Sequence, residues 1–190
     1  MIYIIRHGKT EMNGRHVLQS RSNQPLNEEG VRQAEAARDR LKGIHFSHVF
    51  SSPLKRAVQT AQIVAPYAEP QLDERLIEMD CGPYEGVDLY ALPPEVTLFF
   101  SDFIHNPAPQ GMEPLTSVVK RAGLFLEEIR SLPGDILIST HAIAMKGLLE
   151  YLTPDSGGSY WAKDIGNCTV YTADNHDDRI GVPVRMEEEG

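Results

Sequence analysis

The fold is decided by IYIIRHG at residues 2–8 and ILISTHA at residues 136–142. Each segment is a short apolar run that ends in a polar turn with a histidine, which is typical of a buried strand. Ligands of an open parallel sheet bind outside the carboxyl ends of its strands. We therefore expect His7 and His141 to face one another across a single crevice.

Strand and helix patterns alternate along the rest of the chain. Asn27 is placed to cap one helix, and a second helix is expected to be capped by Ser52 and begun by Pro53, with Arg56 in its first turn. The helices are predicted at about 28–41, 53–64, 115–130 and 144–151, and the strands at 2–5, 48–51, 135–139, 168–171 and 180–184. A turn at 174–178 would close a hairpin between the last two strands. The alternation predicts an α/β fold, a three-layer α/β/α sandwich with a mostly parallel central sheet.

The chain length predicts one domain with a small insertion. A length of 190 residues with 41% hydrophobic content suits a single domain over residues 1–190. Within it, the Pro-rich tract at about 83–114 predicts a lid insertion over the carboxyl edge of the sheet. An apolar cluster at 96–104 is either a buried helix face or the lining of a pocket, with Phe99 and Phe103 as candidate lid contacts.

The charge and the cysteine content restrict the class of protein. A net charge of −9 argues against an extended nucleic-acid or anionic-membrane surface, because both require clustered lysine and arginine. No apolar stretch approaches the roughly 20 residues of a membrane span, and the amino terminus lacks a signal-peptide pattern. Cys81 and Cys168 have neither disulfide-framework nor zinc spacing. These features predict a soluble cytoplasmic protein and leave a homodimer open.

Four separated blocks resemble, in the same order, the histidine phosphatase (phosphoglycerate-mutase-like) superfamily, and within it the phosphatase branch. The blocks are RHGKT at 6–10 with Asn13 and a weaker stretch at 19–26, SSPLKRAVQTA at 51–61, LIEMDCGPYEG at 76–86, and STH at 139–141. One Arg-His-Gly triplet alone is a weak signal, whereas four blocks with compatible spacing are a strong one.

The resemblance implies a phosphoryl-transfer site that needs no metal or other cofactor. His7 would be the nucleophile that forms a phosphohistidine, which divides one difficult hydrolysis into two easier steps. Arg6, Arg56 and Asn13 would bind the non-bridging oxygens, the guanidinium groups in a forked geometry that lysine cannot reproduce. His141 would donate to the same oxygens as charge develops.

Two further phosphate contacts are expected. Gln19 lies in the weaker stretch of the first block, and the backbone N–H groups that lead into the helix after His141, beginning with that of Ala142, would add positive potential. His45 and His48 flank an apolar dipeptide and are interpreted as surface residues rather than as a metal pair.

The third block supplies the candidate general acid. By the resemblance, Glu78 is the proton donor to the leaving oxygen and later the base that activates water. Asp80 and Glu85 are the competing carboxylates in the same block. They are interpreted as lid or surface residues because the family's motif matches Glu78 residue by residue.

The expected function is a cofactor-independent phosphomonoesterase that acts on a small phosphate monoester. No lysine or arginine occurs between Arg75 and Lys120, although that stretch holds many acidic residues. An acidic and apolar lid repels a doubly anionic substrate, which disfavours the alternative of phosphoglycerate mutase-type phosphoryl transfer. A phosphoprotein phosphatase stays open as a second alternative. A binding module that lost turnover is disfavoured, because none of the four charged and histidine residues of the crevice is missing.

Overall fold

The computed structural model describes residues 1–176 and 179–187. Its strands are β1 (Ile2–Arg6), β2 (Phe46–Ser51), β3 (Gln71–Leu72), β4 (Asp135–Thr140), β5 (Val170–Ala173), β6 (Asn175–His176), β7 (Arg179–Ile180) and β8 (Val184–Arg185). Six of them form one sheet in the order β3-β2-β4-β1-β5-β8. The four strands β1 to β4 are mutually parallel. β5 pairs antiparallel with β1, and β8 pairs antiparallel with β5 at the edge of the sheet.

Helices cover both faces of this sheet. They are α1 (Glu11–Gly14), α2 (Glu28–Arg40), α3 (Lys55–Val64), α4 (Pro94–Ser101), α5 (Leu115–Ile129) and α6 (Ala142–Leu152). Alternate residues of β1 point to opposite faces, as in any strand. Ile2 and Ile4 pack in the core under α5 and α6, whereas Tyr3 and Ile5 pack in the core under α2. The predicted three-layer α/β/α fold with a mostly parallel sheet is confirmed.

The register of the two central strands explains why two distant segments meet. Residues 2–6 of β1 pair in order with residues 136–140 of β4. Both strands therefore end at the same level, and the His7 N–H donates to the carbonyl of Thr140 at 2.9 Å. His7 and His141 follow directly at the carboxyl edge, as the sequence predicted.

Two predicted helix starts are corrected. The second predicted helix, α3, begins at Lys55 with Leu54 as its N-cap and no side-chain capping bond, so Ser52 and Pro53 do not start it. The hydroxyl of Ser52 is 2.7 Å from a ring nitrogen of His141. The helix α6 begins at Ala142, two residues earlier than predicted. By contrast, Asn27 caps α2 by accepting from the Gly30 N–H at 2.8 Å.

The 83–114 segment is irregular except for the helix α4. Val96 and Phe99 in this helix are buried in a cluster with Met79, Met112 and other apolar residues, so the interpretation as a buried helix face is right for these two. Phe103 is half-buried and packs on the same cluster. Among the described residues, no helix is long and apolar enough to cross a bilayer.

The terminal strands form the antiparallel pair β5 and β8, with the short ladder of β6 and β7 between them. A hairpin was predicted here. Its turn at 174–178 lies partly outside the described residues, because positions 177 and 178 belong to neither described range. The acidic tail at 188–190 also lies outside them.

Gly30 of α2 lies against the loop that follows His7. A Cβ at Gly30 would overlap the carbonyl oxygen of Lys9 and lie 2.7 Å from its backbone nitrogen. We expect Gly30→Ala to lower the free energy of unfolding by about 1–3 kcal/mol, because the loop or the helix must shift. Gly14→Ala is the matched control, since its Cβ would meet only the Lys9 side chain, at 3.8 Å. Thermal unfolding of both variants measures the difference, and equal Tm values would contradict this packing.

Candidate active site

The carboxyl edge of the sheet brings the two predicted histidines together. The ring centroids of His7 and His141 are 5.1 Å apart, and the ring planes are inclined by 61°. His7 is 3% exposed and His141 is fully buried. Both side chains are therefore screened from bulk water, which strengthens every electrostatic interaction around them.

The surroundings of His7 define which of its nitrogens is available. Its Nδ1 is 2.6 Å from the carbonyl oxygen of Gly8, an acceptor, so Nδ1 carries the proton and donates. Its Nε2 accepts from Nε of Arg56 at 3.2 Å. Burial, followed by the charges of Arg56 and Arg6, lowers the pKa of His7 well below its usual range. The imidazole is thus neutral at pH 7, with the lone pair on Nε2.

Arg56 connects His7 to the loop at residues 20–22. Its guanidinium donates to the carbonyls of Ser20 at 2.6 Å and Ser22 at 2.7 Å, and the side chain is fully buried. Burial lowers its pKa to about 10, so it stays charged at pH 7. Arg56 is the second residue of α3, near the positive end of a helix, where a cation is unfavourable unless an anion balances it.

Arg6 is the second guanidinium of the crevice. One of its terminal nitrogens donates to the carbonyl of Ile165. Burial lowers the pKa of Arg6, and the carboxylates of Glu78 and Asp164 oppose this shift. The two arginines therefore bring two positive charges to the histidine pair.

Three buried nitrogen atoms have no hydrogen-bond partner within the part of the chain that the structure describes. They are Nε of Arg6, Nε2 of Gln19 and Nδ1 of His141. A buried donor without a partner costs about 1–3 kcal/mol, so such atoms mark places where a ligand supplies the acceptor. All three atoms belong to residues that the sequence predicted to bind phosphate.

Asn13 and Gln19 form one polar network. Thr10 and Asn13 both donate to Oε1 of Gln19, at 2.8 and 3.3 Å. Because that oxygen accepts both bonds, the unpartnered Gln19 nitrogen is free to donate. Asn167, which the sequence analysis missed, donates to the carbonyl of His7 at 3.0 Å. It lies in the loop before β5, where no motif distinguishes it.

Glu78 is bound to the amino-terminal end of α6. Its Oε1 accepts from the N–H groups of Met79 at 2.8 Å and Ala144 at 3.0 Å, and its Oε2 accepts from Ile143 at 3.3 Å. The Glu78 side chain, which is 6% exposed, is thereby fixed at the start of this helix. The first helical turn that begins at Ala142 was expected to face a phosphate, yet two of its N–H groups are used by Glu78.

The competing carboxylates have other partners. Asp80 is half-exposed and pairs with Arg21 at 3.3 Å. Glu85 accepts from the backbone N–H groups of Ser20 at 3.1 Å and Ser22 at 2.7 Å, and these bonds outweigh burial and lower its pKa. Both carboxylates therefore hold the loop at residues 20–22, which in turn holds Arg56.

Two more buried side chains were not predicted. Thr60 accepts from the N–H of Gly8 at 3.0 Å and donates to the carbonyl of Arg56 at 2.7 Å, so it joins the two arginine-bearing segments. Lys146 in α6 donates to the carbonyl of Trp161 at 2.8 Å, and burial lowers its pKa. Thr60 lies four residues after Arg56 on one helix face, a spacing that is readable from the sequence.

Metal-ligating side chains are dispersed in this protein. Across residues 1–176 and 179–187, no group of three or more His, Cys, Asp or Glu side chains is placed to hold a metal ion. His45 is exposed and stacks on Tyr67 at 4.9 Å between ring centroids. His48 is half-buried and stacks on Phe50.

A buried histidine pair near two arginines, the fully buried Arg56 and the half-buried Arg6, places the protein in the class of enzymes that work on phosphoryl groups. The sequence profile of the histidine phosphatase superfamily (branch 1) matches residues 2–187, and the chain belongs to this superfamily.

Some proteins that are similar to this chain are named as phosphoglycerate mutases, and others are named as phosphatases. The probable phosphoglycerate mutase GpmB of Proteus mirabilis is 30% identical over 181 residues, which is 91% of this chain and 84% of the relative. A mutant phosphoserine phosphatase from Entamoeba histolytica in complex with phosphoserine matches with a TM-score of 0.82 at 27% identity, over 98% of this chain and 94% of that one. A phosphoglycerate mutase from Thermus thermophilus matches with a TM-score of 0.75 at 26% identity, over 99% of both chains. Family membership alone therefore does not separate a phosphatase from a mutase.

Proposed function

We propose that the protein is a cofactor-independent phosphomonoesterase that hydrolyses a small phosphate monoester through a phosphohistidine on His7. The observation that carries the proposal is the set of buried donors on Arg6, Gln19 and His141 that have no partner among the described residues. Together with the charge of Arg56, these donors match a tetrahedral anion with several acceptor oxygens. Asn13 supports the set through its bond to Gln19.

The first chemical step breaks the bond between phosphorus and the leaving oxygen. The lone pair on Nε2 of His7 leaves its hydrogen bond with Nε of Arg56 and forms the new bond to phosphorus, while Nδ1 stays protonated and donates to the carbonyl of Gly8. The leaving oxygen takes a proton from Glu78. Of the two Glu78 oxygens, Oε2 has a single long bond within the described part of the chain, to Ile143 at 3.3 Å, so it is the better place for the transferred proton.

The second step releases the phosphate. Glu78, now ionised, takes a proton from a water molecule whose oxygen attacks phosphorus, and the bond between phosphorus and Nε2 breaks. His7 returns to its neutral state with both electrons of that bond. Arg6 and Arg56 remain charged throughout and neutralise the phosphoryl oxygens in both steps.

Hydrolysis is favoured over mutase-type transfer because two nearby arginines are already paired with carboxylates. Two arginines from outside the cation-free stretch of residues 76–119 do reach it in space, which the sequence did not predict. Arg121 pairs with Glu113 at 2.8 Å, and Arg21 pairs with Asp80 at 3.3 Å. Because both are neutralised by these carboxylates, neither is free to hold a second anionic group of a substrate.

A small substrate is favoured over a phosphoprotein by the depth of the site. Four of the groups that would contact the substrate at its phosphoryl centre are each at most 6% exposed: His7, Arg56, Glu78 and His141. A side chain on a folded protein reaches such a depth less easily than a free monoester does. The likeness to a phosphoserine phosphatase in complex with phosphoserine supports the same choice.

The substrate class gives a direct test. We expect an aryl phosphate with an uncharged leaving group to show a kcat/KM at least about tenfold above that of 3-phosphoglycerate or fructose bisphosphate, because an unpaired buried anion costs several kcal/mol. Initial rates of phosphate release on the three substrates measure this, with mutase turnover of 3-phosphoglycerate assayed in parallel. Each assay is repeated with EDTA.

Three results would contradict the proposal. They are efficient mutase turnover, a clear preference for the doubly anionic substrates, and a strict requirement for a divalent metal. The double variant Asp80→Asn, Glu113→Gln is informative here, because it frees Arg21 and Arg121. We expect it to improve the relative kcat/KM for 3-phosphoglycerate.

A further inference from the structure

The hydrogen bond between Ser52 and His141 is not explained by the two chemical steps above. Oγ of Ser52 lies 2.7 Å from Nε2 of His141, and both side chains are fully buried. The other ring nitrogen of His141, Nδ1, is one of the donors without a partner among the described residues. The two ring nitrogens of His141 therefore have different surroundings.

The direction of this hydrogen bond follows from the other contacts of Ser52. Its oxygen already accepts from the backbone N–H of Leu54, at 3.4 Å. The hydroxyl proton needs an acceptor, and Nε2 of His141 is the acceptor that the described residues offer it. Ser52 therefore donates, Nε2 accepts, and the imidazole proton resides on Nδ1.

The position of the ring proton decides which nitrogen of His141 can donate, because the neutral ring carries one such proton. Burial, followed by the charges of Arg56, His7, Arg6 and Arg121, lowers the pKa of His141 well below its usual range. A neutral imidazole is a donor at one nitrogen and a lone-pair acceptor at the other. With the proton on Nε2, the lone pair of Nδ1 would face the phosphoryl oxygens and repel them.

We propose that Ser52 is a positioning residue that fixes His141 in the Nδ1–H tautomer, so that Nδ1 donates to the phosphoryl oxygens. The second half of this statement rests on the proposed phosphatase function, whereas the tautomer itself does not.

The tautomer is measured first, without any substrate. Two-bond ¹H–¹⁵N correlation spectra of ¹⁵N-histidine-labelled protein distinguish a protonated from an unprotonated ring nitrogen, and the His141 signals are assigned by their loss in His141→Gln. We expect Nδ1 to be protonated in the wild type and the proton to move, at least partly, to Nε2 in Ser52→Ala. An Nε2–H tautomer in the wild type, or an unchanged tautomer in Ser52→Ala, would overturn the proposal even if the protein is an active phosphatase.

The kinetic consequence is measured on the same variants. We expect Ser52→Ala to lower kcat for an aryl phosphate about tenfold, the value of one hydrogen bond in the transition state, with a smaller change in KM. Ser52→Thr keeps a hydroxyl and should restore most of the rate and the tautomer. Ser139→Ala is the matched control, because it also deletes a buried hydroxyl near the site, one that donates to the carbonyl of Ala57 at 2.8 Å.

Two kinetic results decide against the positioning role. If Ser139→Ala lowers kcat as much as Ser52→Ala does, loss of any buried hydroxyl explains the effect. If Ser52→Ala moves the tautomer but keeps the wild-type kcat, Ser52 sets the ring proton without serving turnover. A wild-type protein without phosphatase activity would refute the proposed function, and the spectra would still decide whether Ser52 fixes the tautomer.

Discussion

The His7→Ala variant is expected to lose all measurable turnover of phosphate monoesters while it keeps its fold. The loss is complete because, among the described residues, the unprotonated nitrogen that lies against the Arg56 guanidinium is Nε2 of His7, at 3.2 Å. His141 is not expected to substitute, because its Nε2 lies at the Ser52 hydroxyl, 2.7 Å away, and its Nδ1 carries the ring proton in the proposed tautomer. Phosphate release from an aryl phosphate, followed for hours at high enzyme concentration, sets the limit of detection.

The matched control for this variant is His45→Ala. His45 is exposed and stacks on Tyr67, so its loss should leave kcat unchanged. Thermal unfolding and far-UV circular dichroism show whether His7→Ala has folded. Turnover by a folded His7→Ala protein within about tenfold of the wild type would mean that another residue, or a water molecule attacking directly, carries the first step.

The Glu78→Gln variant is expected to lose about 10²–10⁴-fold in kcat with an alkyl phosphate, the usual value of general acid help. With an activated aryl phosphate the loss should be much smaller, because that leaving group departs without a proton. Glutamine keeps a carbonyl oxygen to accept from Met79 and Ala144, at the 2.8 and 3.0 Å positions of the carboxylate, so the local structure is preserved. Rates on both esters, taken side by side, give the ratio that tests the role.

Two carboxylates near Glu78 serve as controls. Asp80→Asn removes a half-exposed ion pair with Arg21 and should change both rates little. Glu85→Gln weakens the bonds to Ser20 and Ser22 that support Arg56, and should therefore lower both rates by the same factor. If Glu78→Gln behaved like Glu85→Gln, with equal losses on both esters, Glu78 would be structural.

The centre of the fold was predictable because its signals are local. The four apolar residues of β1 fit a buried strand, and the polar turn after them must lie at its end. The register of β1 with β4 then brings His7 and His141 to one edge without further information. Asn27 was predictable for the same reason, since a helix cap involves residues only three positions apart.

The contacts that tune the site were not predictable, because they join residues distant in the chain. Ser52 and His141 are 89 positions apart, and the local capping rule gave Ser52 the wrong role. Arg21 pairs with Asp80, although Arg21 itself lies outside the cation-free stretch of residues 76–119. Asn167 lies in a loop without a motif, and only the folded chain brings it to the carbonyl of His7.

The central claim is that phosphorus bonds to Nε2 of His7 during turnover. Phosphohistidine is labile in acid, so the reaction with a ³²P-labelled monoester is stopped with alkali. The labelled peptide is then identified by mass spectrometry and the phosphohistidine isomer by chromatography. Nδ1 of His7 donates to the carbonyl of Gly8 at 2.6 Å, so we predict that the phosphate is bonded to Nε2, in the peptide that contains His7. We expect the same label in the Glu78→Gln variant. Label on Nδ1, on His141 or on a serine, or turnover with no covalent label at all, would contradict the account.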